Sequence, residues 1–202
     1  MFYSLQKNAL NIISNRVSRR TYSILSDTHQ YSITKQNAKY NITSYPISTT
    51  INTMEWLDVK SIINTNRLEL LGRNEQQQAV YDNFRSTVLS NWLSVSDYLY
   101  VTKFNFDSSI NDDNKRICIR PDTVDKDKTY LFPNDFPYNF SSKIKHYVLW
   151  KLSTITYNEV NDKAKVLVNE LNANDYVVYI NPPALKSVLD IDHGHILIYK
   201  DD

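Results

Sequence analysis

The residues best suited to chemistry lie near the C-terminus, where His193 and His195 flank Gly194. A β-branched and aromatic run, Ile196-Leu197-Ile198-Tyr199, follows them and reads as a strand. Side chains alternate across a strand, so both imidazoles project from one face, with Cα atoms roughly 6.5 Å apart. Imidazole titrates near neutral pH, and two rings so placed can grip one phosphate or one metal ion. Upstream, Asn181 and Ser187 belong to a loop stiffened by Pro182 and Pro183 and can add neutral hydrogen bonds. A second stiff segment, Pro133-Asn134-Asp135-Phe136-Pro137-Tyr138, precedes another histidine, His146. His195 and His193 are thus the candidate catalytic residues. Asn181, Ser187, Asn134, Asp135 and His146 are the candidate ligand-binding ones. A plainer reading competes, in which a histidine pair at a strand end lines a wet rim.

The elements that must position these residues can be read from periodicity. Trp56, Val59, Ile62 and Ile63 make a helical stripe, and a second helical run spans Leu68 to Leu71, with Gly72 expected as its left-handed cap. Glu75 to about Leu93 is the longest predicted helix, burying Val80, Phe84, Val88, Leu89 and Trp92. The segment from Ser94 to Phe106 extends the helical layer or forms a short strand. Residues 105–128 are charged and polar and read as a mobile loop, interrupted by Ile117-Cys118-Ile119. Strands are predicted at Tyr130–Phe132, Lys145–Leu152, Tyr176–Ile180 and Ile196–Tyr199. Between the second and third of these, Asn158 to Asn172 reads as a helix burying Val160, Ala164, Leu167, Val168 and Leu171. The expected architecture is an α+β fold, an N-terminal helical layer packed on an antiparallel sheet.

Composition excludes several classes. The 202-residue chain is 42% hydrophobic and 22% charged, which suits one globular domain. Its formal net charge of +1 carries no nucleic-acid signal. No apolar run approaches the ~20 residues of a membrane span. The only glycines are Gly72 and Gly194, so no glycine-rich phosphate loop or dinucleotide fingerprint exists, and no cofactor is implied. Cys118 is the single cysteine, which excludes an intrachain disulfide and paired-cysteine zinc spacings.

The first 53 residues differ from the rest. From Met1 to Leu25 there is no acidic residue, while Lys7, Arg16, Arg19 and Arg20 stand among Ser, Asn and spaced apolar residues. That pattern describes a mitochondrial presequence, with an unspecialised N-terminus as the competing reading. Residues 26–53 read as a polar linker. The expected organisation is a leader and linker over 1–53 and a single α+β domain over 54–202. Localisation follows the leader: mitochondrial if it functions, cytoplasmic otherwise.

Three ordered motifs carry a resemblance. Trp56, Lys60, Ile62, Ile63, Asn66, Leu68, Glu69, Leu71 and Arg73 resemble the opening of a largely fungal family of unknown function that includes the N-acetylglucosamine-induced protein 1 group. Asn134-Asp135-Phe136-Pro137-Tyr138 with Ile144, His146, Val148 and Trp150 resembles its central motif. Asn181-Pro182-Pro183 with Leu185, Ser187, Val188, His193 and His195 resembles its last. The resemblance covers residues 55–199 and implies no biochemical activity. More distantly, strand order and the H-x-H on the last strand are similar to the histidine triad (HIT) fold, whose middle histidine attacks a phosphate. This likeness implies His195 as nucleophile, but Leu197 stands where the third histidine belongs and cannot hydrogen-bond a phosphoryl oxygen.

Two functional classes follow. A binding protein would hold a nucleotide or sugar phosphate in a His193/His195 pocket. A HIT-like nucleotide hydrolase or transferase would use His195 as nucleophile or base, with His193, Asn181 and Ser187 stabilising charge and Asp135 orienting a histidine. Metal ligation by His193, His195 and a carboxylate is a third reading. Oligomeric state is not legible.

Overall fold

The computed structural model describes residues 52–201, so the expected leader lies outside the described residues. Helix α1 (Trp56–Asn64) and a 3-10 turn (Leu68–Leu70) lead to α2 (Glu75–Asn91) and α3 (Val95–Thr102). A two-stranded hairpin follows, β1 (Asp107–Ile110) and β2 (Arg116–Ile119). Then come β3 (Thr129–Pro133), β4 (Ile144–Lys151), helix α4 (Tyr157–Leu171), β5 (Asp175–Tyr179), a 3-10 turn (Pro183–Leu185) and β6 (Asp192–Tyr199). The last four strands form an antiparallel sheet in the order β3-β4-β6-β5, and the fold is α+β. Because β4 and β5 both run antiparallel to β6, they are parallel to one another. A parallel pair needs a crossover, and α4 supplies it.

The helices start where their sequences provide caps. Asn74 and Gln77 exchange backbone hydrogen bonds in a capping box that opens α2, and Thr156 with Glu159 does the same for α4. One face of the sheet is closed by α4. Val160, Ala164 and Leu167 pack there on Leu149, Val178, Ile196 and Ile198. Gly194 belongs to this face, where an added Cβ would collide with the side chain of Val160. The glycine between the histidines therefore admits a helix side chain rather than a ligand.

Strand alternation sends the histidines to the other face. The register pairs Ile144 with Tyr199, His146 with Leu197, Val148 with His195 and Trp150 with His193. At one end of this row, α1 covers Ile144, Leu197, Val177 and Tyr179 through Trp56 and Val59. Trp56 also stacks on Tyr199 at 5.2 Å and donates to Asp175 at 3.0 Å, while Lys60 pairs with Asp175 at 2.7 Å. At the other end, Leu99 and Tyr100 of α3 pack with Val188, Ile191, Phe132 and Trp150. The histidines lie between these two apolar caps.

Several local expectations are corrected. Gly72 is not a left-handed cap. The positive φ falls instead on Asn66, at 55°, because a short amide side chain tolerates that region. Residues 105–128 contain the β1–β2 hairpin, whose turn has Asn114 at φ 57° and a bond from the Asn111 amide to the Lys115 carbonyl at 2.9 Å. On α2, Val88 and Trp92 are buried, but Val80 is 58% exposed and Leu89 is 37% exposed. That helix packs on α3 along a narrow stripe, which leaves part of its apolar face uncovered.

Candidate functional site

His146, His193 and His195 are all buried, and they meet as a cluster. His146 Nε2 lies 2.9 Å from His195 Nδ1, and Asn181 Nδ2 lies 3.2 Å from His195 Nε2. An amide nitrogen can only donate, so His195 Nε2 accepts and the ring proton sits on Nδ1. That proton is donated to His146 Nε2. The Asn134 amide nitrogen lies 3.3 Å from both nitrogens of His146, so it caps the ring rather than singling out one atom. Its oxygen is held by the Phe136 amide at 3.0 Å, which fixes the amide's orientation. His193 is tied differently: its Nδ1 lies 3.0 Å from the Ile191 carbonyl, which can only accept. The proton of His193 is therefore on Nδ1, and Nε2 carries the lone pair.

Electrostatics keep all three rings neutral. Burial pushes the His146 pKa from 6.5 down to about 3, aided by the Arg73 charge. Burial likewise holds His195 well below the ordinary value, and His146, His193 and Arg73 add to the effect. His193 is lowered by burial too, partly opposed by its bond to Ile191. Aromatic rings hold the cluster in place. Tyr179 stacks on His195 at 4.7 Å with 13° between planes, and Trp150 covers His193 at 4.5 Å.

A concavity of about 160 Å³ opens beside this cluster. Of the residues singled out from sequence, Asn134, Asp135, Asn181, Ser187, His193 and His195 line it. His146 does not; it stands behind His195 as a partner to that ring. Asp135 pairs with Lys103 at 2.7 Å, so it orients no histidine. Ser187 is exposed at the rim. Both nitrogens of His195 are engaged, so the candidate nucleophile presents no bare lone pair to the concavity. Leu197, in the place of a third histidine, is fully buried under α1. Among the described residues, no group of three or more histidine, cysteine or acidic side chains could hold a metal ion.

Sequence reasoning placed Arg73 in a motif but gave it no role. Its Nε and Nη2 both donate to the Phe136 carbonyl, at 3.0 and 2.7 Å, which ties the Pro133–Tyr138 turn to the start of α2. The guanidinium lies over the rings of Tyr81 at 4.1 Å and Tyr138 at 5.3 Å. Burial lowers its pKa, and the ion pairs among the described residues give it no carboxylate partner. Aromatic residues complete the wall: Phe84 meets Phe136 at 4.5 Å, and Trp150 and Tyr98 stand nearby. In the sequence Phe84 read as core and Phe136 as part of a stiff turn. Only packing shows that one side of them faces a cavity.

Residues 55–199 match a family described as protein of unknown function, DUF3605. N-acetylglucosamine-induced protein 1 of Candida albicans is 27% identical over 170 residues, covering 71% of this chain and 67% of its own. An uncharacterised protein of Saccharomyces cerevisiae is 24% identical over 161 residues, covering 72% of this chain and 78% of its own. The crystal structure of HTC1 aligns with a TM-score of 0.48 at 21% identity, over 73% of this chain and 85% of that one.

Proposed function

We propose, for a chain that belongs to the DUF3605 family of proteins of unknown function, that the concavity binds a small phosphate-bearing ligand, a nucleotide or a sugar phosphate. The observation that carries this reading is Arg73, a half-buried guanidinium with no carboxylate ion-pair partner among the described residues, at the wall of a cavity whose other charged lining residues, Lys103 and Asp135, pair with each other. A cation placed in low dielectric among aromatic faces is costly unless an anion joins it. Arg presents a planar fork of N–H groups that matches a phosphate, and two of them already fix its position on the Phe136 carbonyl. The Asn181 amide, which also lines the cavity, can add a neutral donor, and the uncharged imidazoles put no second ionic group beside it. Binding suits this geometry better than phosphoryl transfer through His195, since that step needs a bare imidazole nitrogen and both are engaged.

Isothermal titration calorimetry of the full chain tests the reading, with inorganic phosphate, hexose phosphates and nucleoside monophosphates. The Candida albicans relative is named as N-acetylglucosamine-induced, so N-acetylglucosamine 6-phosphate heads the hexose set. At least one of these anions should bind, and Arg73→Gln should weaken it tenfold or more, about 1.4 kcal/mol. An affinity unchanged in that variant, or no binding by any anion, refutes the reading.

A further inference from the structure

We propose that His193 Nε2 accepts a hydrogen bond from a ligand hydroxyl, so that the ligand of this site is a hydroxylated sugar phosphate. The inference rests on the reading of Arg73 as the anion anchor and adds the second point of recognition. The bond from Nδ1 to the Ile191 carbonyl at 3.0 Å leaves the lone pair of His193 on Nε2. No described residue donates to that atom. Lys186, the charged neighbour on the same loop, is taken by Asp192, which also accepts the Ile155 amide at 2.9 Å. Trp150 lies against the imidazole at 4.5 Å and holds its plane. His195 cannot substitute, because its two nitrogens serve His146 and Asn181.

A ring held in one tautomer at a cavity wall discriminates between ligand groups. A phosphate dianion offers only acceptors, and its oxygens repel an imidazole lone pair. A hydroxyl supplies the missing donor. An acceptor at a cavity wall discriminates when a ligand shuts water away from it, because without a donor the group is then left unpaired. Arg73 and His193 therefore sort the two ends of one ligand, the anion to the guanidinium and a hydroxyl to the imidazole. The aromatic wall formed by Phe84, Phe136 and Trp150 suits the C–H face of a sugar ring. The cavity, about 160 Å³, is smaller than the ~300 Å³ or more of sites for drug-sized molecules, which favours a hexose phosphate over a nucleotide.

The test is calorimetry on the full chain with four probes: inorganic phosphate, glucose 6-phosphate, its single-deoxy analogues, and adenosine monophosphate. Glucose 6-phosphate should bind more tightly than inorganic phosphate, and one deoxy position should cost tenfold or more. His193→Ala should reduce glucose 6-phosphate affinity to a similar degree, and by a much larger factor than it changes inorganic phosphate affinity. His193→Gln, whose amide oxygen can accept, should recover part of the loss. The deoxy series needs no mutation, so it decides the matter even if a His193 variant fails to fold. If inorganic phosphate binds through Arg73 while every deoxy analogue binds as well as glucose 6-phosphate, the hydroxyl contact is overturned and the anion site stands. Tighter binding of adenosine monophosphate than of glucose 6-phosphate overturns the sugar assignment. Binding of every probe unaffected by Arg73→Gln, or no binding at all, removes both.

Discussion

Lowering the pH from 7 to 5 should destabilise the fold well before its carboxylates protonate. His146 has an ordinary pKa of 6.5 and about 3 in the folded protein. A group depressed in this way is largely neutral in both states at pH 7 and adds little pH dependence there. Below 6.5 the unfolded chain takes up a proton that the folded chain refuses, so stability falls as pH falls, until the folded value is reached near 3. At pH 5 this difference amounts to about 2 kcal/mol from His146 alone. His195 and His193 are depressed in the same direction by burial and add to it. Domains of this kind hold only ~5–15 kcal/mol in total, so the loss is easily measured. The described carboxylates whose pKa values are lowered, Asp127, Asp175, Asp192, Asp201 and Glu159, act in a different window. Their contribution persists above the ordinary values, 3.8 for the aspartates and 4.5 for the glutamate, and is lost as pH falls below them. Between pH 6.5 and 5 the histidines are therefore isolated. Urea denaturation followed by tryptophan fluorescence at pH 7, 6 and 5 gives the curve, and His146→Gln should make it shallower. Stability constant to within ~0.5 kcal/mol between pH 7 and 5 would refute the picture of neutral, buried imidazoles.

Three further variants test the packing around the cluster. Gly194→Ala forces a methyl group against Val160 and should cost about 1–3 kcal/mol in urea denaturation; Val160→Ala in the same chain should recover part of it, and a neutral single variant would contradict the close approach. Trp56→Ala should cost about 3–5 kcal/mol, because it empties a buried site and removes the Asp175 bond and the Tyr199 stack. Trp150→Ala should cost less, since that ring is half-buried at the cavity wall, and equal losses would refute the distinction.

Much of the fold was legible because burial on a sheet or helix writes a period into the chain. The alternation around His193 and His195 placed both on one face, and the spacing of Val160, Ala164 and Leu167 marked the stripe of α4 that covers the other. Prolines at 133, 137, 182 and 183 marked the stiff turns beside the strands. Local signals also misled where they depended on a partner. Gly72 resembled a cap, yet Asn66 took the left-handed conformation. Val80 had helical spacing, yet no element among the described residues covers it. The role of Asp135 was beyond sequence, because its partner Lys103 is 32 positions away and any carboxylate beside a histidine would have read the same.

What the sequence alone determined is which residues are stiff, which alternate and which can bond a phosphate. What only the tertiary structure decided is the state of those residues. The register of β4 against β6 brings His146 to His195 across 49 positions, and this contact holds the Nδ1 proton, while Asn181 engages the Nε2 lone pair that a nucleophile would need. The same folding carries Arg73 from the start of α2 to the Phe136 carbonyl, 63 positions on, and leaves a cation among aromatic rings at the cavity wall. Charge, tautomer and access depend on neighbours in space. The chain's order records neighbours along the backbone, so Arg73 carried no role in the sequence until packing surrounded it.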